Sequence, residues 1–142
     1  MKQAAVIYWS GTGNTELMAQ AVAEGAKQAG AEVKLLLVSE ASAEDVQAVS
    51  ALALGCPAMG SEVLEESEFE PFFNTVEGLL SGKKLALFGS YDWGDGQWMR
   101  DWQARAEAAG AVLCADGLIA NNTPGDDELS NCRALGHTLA EE

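Results

Sequence analysis

Apolar positions come in short, unbroken runs alternating with segments of helical spacing. Residues 4–9 form an apolar run without polar alternation, ending in Ser10-Gly11-Thr12-Gly13. Such a run predicts a strand buried on both faces, followed by a tight turn. Leu17, Met18, Ala21, Val22, Gly25 and Ala26 then recur at three- and four-residue intervals until Gly30, as in a helix stopped by a C-terminal glycine. The alternation continues with a strand over 32–38, a short helix near 43–48, a strand over 51–56 and a helix over 70–80 with Pro71 in its first turn. A strand over 85–90, a helix over 97–109, a last strand from 111 to 115 continuing towards 119, and a closing helix from Asp126 complete the chain. Five strands alternating with five helices predict one three-layer α/β domain spanning 1–142, its crossovers right-handed. In such a sheet ligands bind beyond the carboxyl ends of the strands, which directs attention to the loops after strands one, three, four and five.

Composition narrows the function. No apolar run approaches the ~20 residues a membrane helix needs, and the first residues lack a cleavable leader pattern, so the expected setting is the cytoplasm. Cys56, Cys114 and Cys132 are widely spaced with no CxxC pair, which reads as reduced thiols and gives no metal site. A formal charge of −14 repels nucleic acid and anionic lipid, and favours a basic partner or solubility.

The first loop carries the sharpest chemistry. In Ser10-Gly11-Thr12-Gly13-Asn14-Thr15 two glycines let the backbone N–H groups converge, three hydroxyls can donate, and a helix N-terminus adds partial positive charge. These are the parts of a phosphate site without a lysine or arginine. The triphosphatase loop is excluded by the missing lysine, and the dinucleotide fingerprint by Glu16 at its third glycine position. A phosphoacceptor domain would end its third strand in aspartate, where Cys56 stands, and a cysteine phosphatase would follow that residue with an arginine, which first occurs at Arg100.

Three segments in series, Tyr8 to Thr15, Gly55 to Glu62 and Phe88 to Gly94, resemble the three FMN loops of the short-chain flavodoxin family. The resemblance covers essentially the whole chain in order and spacing, including a last strand without insertion. It implies a flavodoxin-like fold, a five-stranded parallel sheet of order 2-1-3-4-5 with helices on both faces, and one non-covalently bound FMN. It also implies the site. Ser10, Gly11, Thr12, Gly13, Asn14 and Thr15 would hold the phosphate; Trp93 and Met59 would cover the two faces of the isoalloxazine ring. Pro57, Ala58, Gly60, Ser90, Tyr91, Asp92 and Gly94 would complete the ring loops, Glu62 would accept from ring N3–H, and Asn122 resembles a ribityl contact. The Met59-Gly60 peptide would turn over on one-electron reduction, and Gly60 makes that turn cheap because it tolerates either sign of φ.

By this resemblance the protein is no enzyme but a low-potential one-electron carrier, shuttling its flavin between semiquinone and hydroquinone. It would be a monomer serving redox proteins with basic docking surfaces, such as ferredoxin-type reductases and oxidases. An FMN-dependent quinone or flavin reductase is the alternative, but no loop is long enough for a second substrate pocket. The sequence departs from related proteins at Asp92, where glycine is common, and a positive φ there would cost about 1 kcal/mol. Glu62, Glu65, Glu66, Glu68 and Glu70, with Asp92 and Asp95 opposite, predict an acidic rim around the ring's exposed edge; Glu68 and Glu70 would also complement the helix that begins near Pro71. Trp98 and Trp102 read as helix packing, Cys132 as core, Cys56 as a buried thiol and His137 as surface, while Trp9 fits either core or site.

Overall fold

The computed structural model describes residues 2–141. Its strands are β1 (Gln3–Tyr8), β2 (Glu32–Leu37), β3 (Ala51–Gly55), β4 (Lys84–Tyr91), β5 (Val112–Leu113) and β6 (Leu118–Asn121). The helices are α1 (Asn14–Gln28), α2 (Ala43–Gln47), α3 (Phe69–Val76), α4 (Gln97–Ala108) and α5 (Asp126–Ala140). All pairings are parallel, in the order β2-β1-β3-β4 with β5 and β6 successively beside β4. The expected fifth strand is therefore present in its place but broken. Its lower piece pairs with Lys84 and Leu85, its upper piece with Phe88 to Tyr91. Between them Gly117 leaves the ladder, and its N–H donates to Gln103 Oε1 on α4. The helix predicted to run to Leu80 likewise ends at Val76, and a single tight turn over Glu77–Leu79 carries the chain on past Gly78.

The sheet's side chains alternate between two cores. Ile7, Leu52, Leu54, Leu85 and Leu87 meet Phe69 and Phe73 of α3 and Trp98 and Trp102 of α4. Val6, Tyr8, Ala53, Ala86 and Phe88 meet Met18 and Val22 of α1 and Cys132 and Leu139 of α5. On that side α1 and α5 also pack against each other closely. A Cβ on Gly25 would run into the Arg133 carbonyl, and one on Gly136 into that of Val22. These burials, at about 25 cal/mol per Å² of apolar surface, supply most of the force that holds the loops at the carboxyl edge in place. At the opposite edge Lys2 and Lys84 donate to the last carbonyls of α5 (Glu141 O at 2.8 Å from each, Thr138 O at 2.8 Å from Lys84), satisfying acceptors a helix end leaves open. No helix is long and apolar enough to cross a membrane among the described residues.

Candidate functional site

The turn from β1 into α1 is shaped by its own side chains. Ser10 Oγ accepts from Gly13 N (3.1 Å) and Glu16 N (3.3 Å), drawing the chain round so that Gly13 takes a left-handed φ of 95° as the helix N-cap. The N–H groups of Gly11, Thr12 and Thr15 have no protein acceptor among the described residues. Thr15 lies in the first turn of α1 and Gly11 and Thr12 in the glycine turn before it, so free N–H groups gather at a helix start, an arrangement suited to an anion. Thr15, 1% exposed, shares a 2.8 Å hydrogen bond between its hydroxyl and that of Ser90, tying the turn to the end of β4. Trp9 lies on Gly11, where a Cβ would be 3.0 Å from its ring, and its Nε1 donates to Glu68 Oε1 at 3.1 Å. Trp9 is thus a wall of the site.

Two cavities open on this edge. One, of about 120 Å³, is bounded by Trp9 to Thr12, Asn14 and Thr15, by Pro57, Ala58 and Met59, and by Ser90, Tyr91 and Asp92. The other, of about 220 Å³, is bounded by Ala58, Met59, Gly60, Glu62, Asp92 and Trp93. They share Ala58, Met59 and Asp92, so an anion pocket runs into a cleft with Met59 on one loop and Trp93, 63% exposed, on the other. The donor set of hydroxyls and N–H groups without a cation, continuous with an apolar-sided cleft, fits a phosphate joined to a flat ring.

The ring loop between β3 and α3 is closed at three levels. Met59 and Val63 exchange backbone hydrogen bonds (2.9 and 3.0 Å), making Gly60-Ser61-Glu62 a tight tip with Gly60 at φ 50° and Glu62 at φ 57°. Below it, Ala58 N donates to Ser90 O (3.0 Å). At the base, Glu65 N donates to Cys56 Sγ (3.4 Å), while Trp98 Nε1 donates to Cys56 O (3.1 Å). Burial pushes the Cys56 thiol pKa far up, so the sulfur stays protonated. Glu62 also reaches across, its Oε1 accepting from Gly96 N (3.2 Å) and Gln97 N (2.9 Å) at the start of α4. The left-handed backbone costs Glu62 about 1 kcal/mol, and the charge-assisted cap it makes on the neighbouring loop offsets that.

Asp92 avoids the cost that a positive φ would carry: among the described residues the left-handed non-glycine positions are Glu62 and Asn122 (φ 58°). One expectation needs correction: Glu65 does not belong to the acidic rim. It is 5% exposed, and its carboxylate accepts from Glu68 N and Phe69 N (2.8 Å each), Ser67 N (2.9 Å) and the Ser67 hydroxyl, capping α3. Burial pushes its pKa up, but these four hydrogen bonds outweigh burial and hold it below the usual value. Glu68 stands at the N-cap and Glu70 in the first turn of α3, as expected, while Glu70 also pairs with Arg105 of α4 and Glu68 accepts from Trp9. An acid preceding Phe69 by four residues and Ser67 by two was a capping signal masked by the run of acids around it.

Gly13, Gly94 and Asn122 line neither cavity. Gly94 faces the Glu62 carboxylate, which leaves no room there for a Cβ. Asn122 N donates to Tyr91 O (2.8 Å), and Asn121, which the sequence did not single out, reaches Tyr91 O and Asp92 O through its Nδ2 (3.2 and 3.3 Å). His137 is on the surface beside Glu141, Trp98 and Trp102 are buried, and all three cysteines are free.

A lysine-free anion turn at the first crossover of a 2-1-3-4-5 sheet, running into a flat-sided cleft at the carboxyl edge, defines a mononucleotide-binding protein of the doubly wound class. A family model described as Flavodoxin matches residues 6–136, and the chain belongs to the flavodoxin family, one of the cases from which the rule for ligand position in such sheets was drawn. It is 47% identical to a flavodoxin of Clostridium beijerinckii over 135 residues, covering 95% of this chain and 97% of that one. It is 44% identical to a flavodoxin of Megasphaera elsdenii over 136 residues, covering 96% and 97%. The solution structure of the two-electron reduced Megasphaera elsdenii flavodoxin superposes with a TM-score of 0.87 over 98% of this chain and 99% of that one, at 43% identity.

Proposed function

We propose that the chain carries electrons between redox proteins through one FMN held in the joined cavities of the carboxyl edge. The observation that carries this reading is the continuity of the cation-free anion turn with the cleft between Met59 and Trp93. Bound there, FMN supplies reversible one-electron chemistry. The Ser10 hydroxyl keeps the turn in the shape that leaves Gly11 N and Thr12 N free for phosphate, and Thr12, Asn14 and Thr15 add side-chain donors around Gly13. Pro57, Ala58, Ser90 and Tyr91 wall the passage between phosphate and ring; Asn122, outside both cavities, holds the end of β4 through its N–H to Tyr91 O and would reach the ribityl chain only from beyond that wall. Met59 and Trp93 cover the ring and exclude water. Glu62 would accept from the ring N3–H while its hold on α4 keeps the two ring loops in register; Gly60 would let the adjoining peptide turn, and Asp92 and Gly94 would present backbone N–H groups.

Glu62, Glu66, Asp92 and Asp95 place negative charge beside the ring, which disfavours a further electron and makes the carrier strongly reducing. The same charge steers basic docking faces of ferredoxin-type reductases and oxidases. Glu16 and the run Asp126, Asp127 and Glu128 begin helices on this edge, whereas Lys2, Lys27 and Lys84 lie at the other, so the field has a direction. Three free thiols suit the reducing cytoplasm, and the net charge favours a monomer. The test is spectral. The purified protein should hold one FMN per chain and take up dithionite electrons in two separated steps, with no reduction by NADPH alone; a colourless protein that ignores added FMN overturns the assignment.

A further inference from the structure

One wall of the phosphate turn is a single indole. Trp9 follows β1, and its backbone N–H, donating to Gly55 O at 3.0 Å, continues the pairing with β3. Its ring lies over the loop that comes next: a Cβ on Gly11 would stand 3.0 Å from Cη2 and 3.2 Å from Cζ3. The benzene edge of the indole therefore covers the turn, and its pyrrole N–H is left to donate to Glu68 Oε1 at 3.1 Å. Glu68 is a fixed post. Its N–H donates to Glu65 Oε1 (2.8 Å) and its C=O accepts from Phe72 N (3.2 Å), at the start of α3. The indole thus bridges the phosphate turn and the base of the ring loop, through a bond between residues 59 apart in the chain.

The charge of that acceptor runs against the needs of the site beside it. A carboxylate behind the wall of an anion pocket repels the anion, and the pocket is lined by no lysine or arginine to offset it. Phosphate binding gives no reason for an acid here. Holding an indole N–H does, because a hydrogen bond to an ionised acceptor is about twice as strong as one between neutral groups. Glu68 is exposed and Trp9 half-buried, so the bond can open to water without disturbing the core. Resting on the reading that FMN occupies the joined cavities, we propose that Trp9 and Glu68 form a latch on the phosphate end of the site. Glu68 is the positioning residue and the indole the moving part. Closed, the indole rests on Gly11 and keeps the free N–H groups of the turn converged on the phosphate; open, the turn relaxes and the phosphate is released.

Flavin dissociation separates the latch from its alternatives. Protein loaded with FMN, or in parallel with riboflavin, is diluted, and the return of flavin fluorescence is timed. Glu68→Ala removes charge and acceptor together and is expected to speed FMN loss about fivefold or more, the scale of one net hydrogen bond. Glu68→Gln removes the charge but keeps a carbonyl oxygen for the indole, and should lose FMN no faster than wild type. Trp9→Phe keeps a ring beside Gly11 without the N–H and should match Glu68→Ala, and the double variant should be no faster than either alone, because the two side chains act as one unit. Riboflavin, which lacks the phosphate, should leave Glu68→Ala and Glu68→Gln at the wild-type rate. Charge repulsion alone predicts the opposite sign, slower FMN loss from Glu68→Ala, and that result or an unchanged rate overturns the latch. Equal acceleration of riboflavin also overturns it, since the pair would then be a general brace. Wild-type protein that takes up neither flavin overturns the FMN reading, and the latch with it.

Discussion

The phosphate turn and the ring loop do adjacent parts of one task with opposite means. Residues 10–15 use neutral groups, a helix start and a glycine at φ 95°, and they bring no formal charge to an anion that carries its own. The ring loop, residues 56–65, is held by charge. Glu62 caps α4 and Glu65 caps α3, each through backbone N–H donors, so two carboxylates in a strongly acidic segment act as internal fasteners. Neutral donors suit a permanent guest. On the proposed reading the ring loop lets one peptide turn at Gly60 while its ends stay fixed, which calls for stronger pins, and charge-assisted hydrogen bonds provide them.

The comparison is broken most severely at the phosphate turn. Thr12→Ala with Thr15→Val removes two hydroxyls that donate to an anion, each worth about 1.5–3 kcal/mol. FMN affinity should fall by on the order of a hundredfold or more, while riboflavin, which lacks the phosphate, binds nearly as before. Titration of the two ligands by fluorescence quenching decides it, and equal losses would remove the phosphate from this turn.

The next effect tests the pins. Glu65→Gln keeps the shape but puts an amide where three backbone N–H groups and a hydroxyl converge, and should cost about 1–3 kcal/mol in urea unfolding at pH 7. The Glu65 pKa is lower in the folded state than in the unfolded chain, so its contribution is present in full above the ordinary glutamate value of 4.5 and is lost as pH falls through the lower folded value. The gap between wild type and Glu65→Gln should be flat from pH 8 to about 5 and close below that. A gap that shrinks on raising the pH would contradict the capping role. Gly60→Val acts on the moving part between the pins: with φ at 50°, a β-branched residue is strained, and the midpoint of the first electron should move by the equivalent of about 1–3 kcal/mol. An unchanged midpoint would take Gly60 out of the redox step.

These two regions were also unequally legible. The turn could be read from sequence because each of its functions is local: glycines bend, hydroxyls donate, and a helix starts at once. The order of strands and helices was legible for the same reason, since burial on both faces writes itself as unbroken apolar runs. The pins could not be read so, because Glu62 and Glu65 act on backbone donors whose positions depend on where α3 and α4 begin. Seen as a string, five glutamates in nine residues look like one solvated patch. In the fold Glu65 is buried, Glu68 holds Trp9, Glu70 holds Arg105, and Glu62 fastens the opposite loop. The break between β5 and β6 was hidden likewise, in a side chain of α4 that intercepts a strand N–H.

What remains of the rim sets the smallest expected effect. Glu66 is exposed, makes no ion pair or side-chain hydrogen bond among the described residues, and stands between two acids that are occupied, so on the proposed reading its role is to add charge to the acidic rim. Removing one such charge alters the approach of a basic partner and leaves the bound geometry alone, and a rim charge acts mainly on the association rate and its salt dependence. Glu66→Gln should lower the rate of electron transfer to a basic acceptor by no more than about threefold where the Debye length is ~30 Å, with the difference fading as it falls to ~8 Å. FMN affinity and urea stability should stay at wild-type values, which separates this residue from its neighbour Glu65. If Glu66→Gln instead matched Glu65→Gln in unfolding, the segment would behave as one cooperative acidic cluster, and the division between fastening and steering carboxylates would fail. If it left the low-salt rate untouched, the steering field would have to come from acids farther from the ring, with Asp126 and Asp127 at the start of α5 next in line.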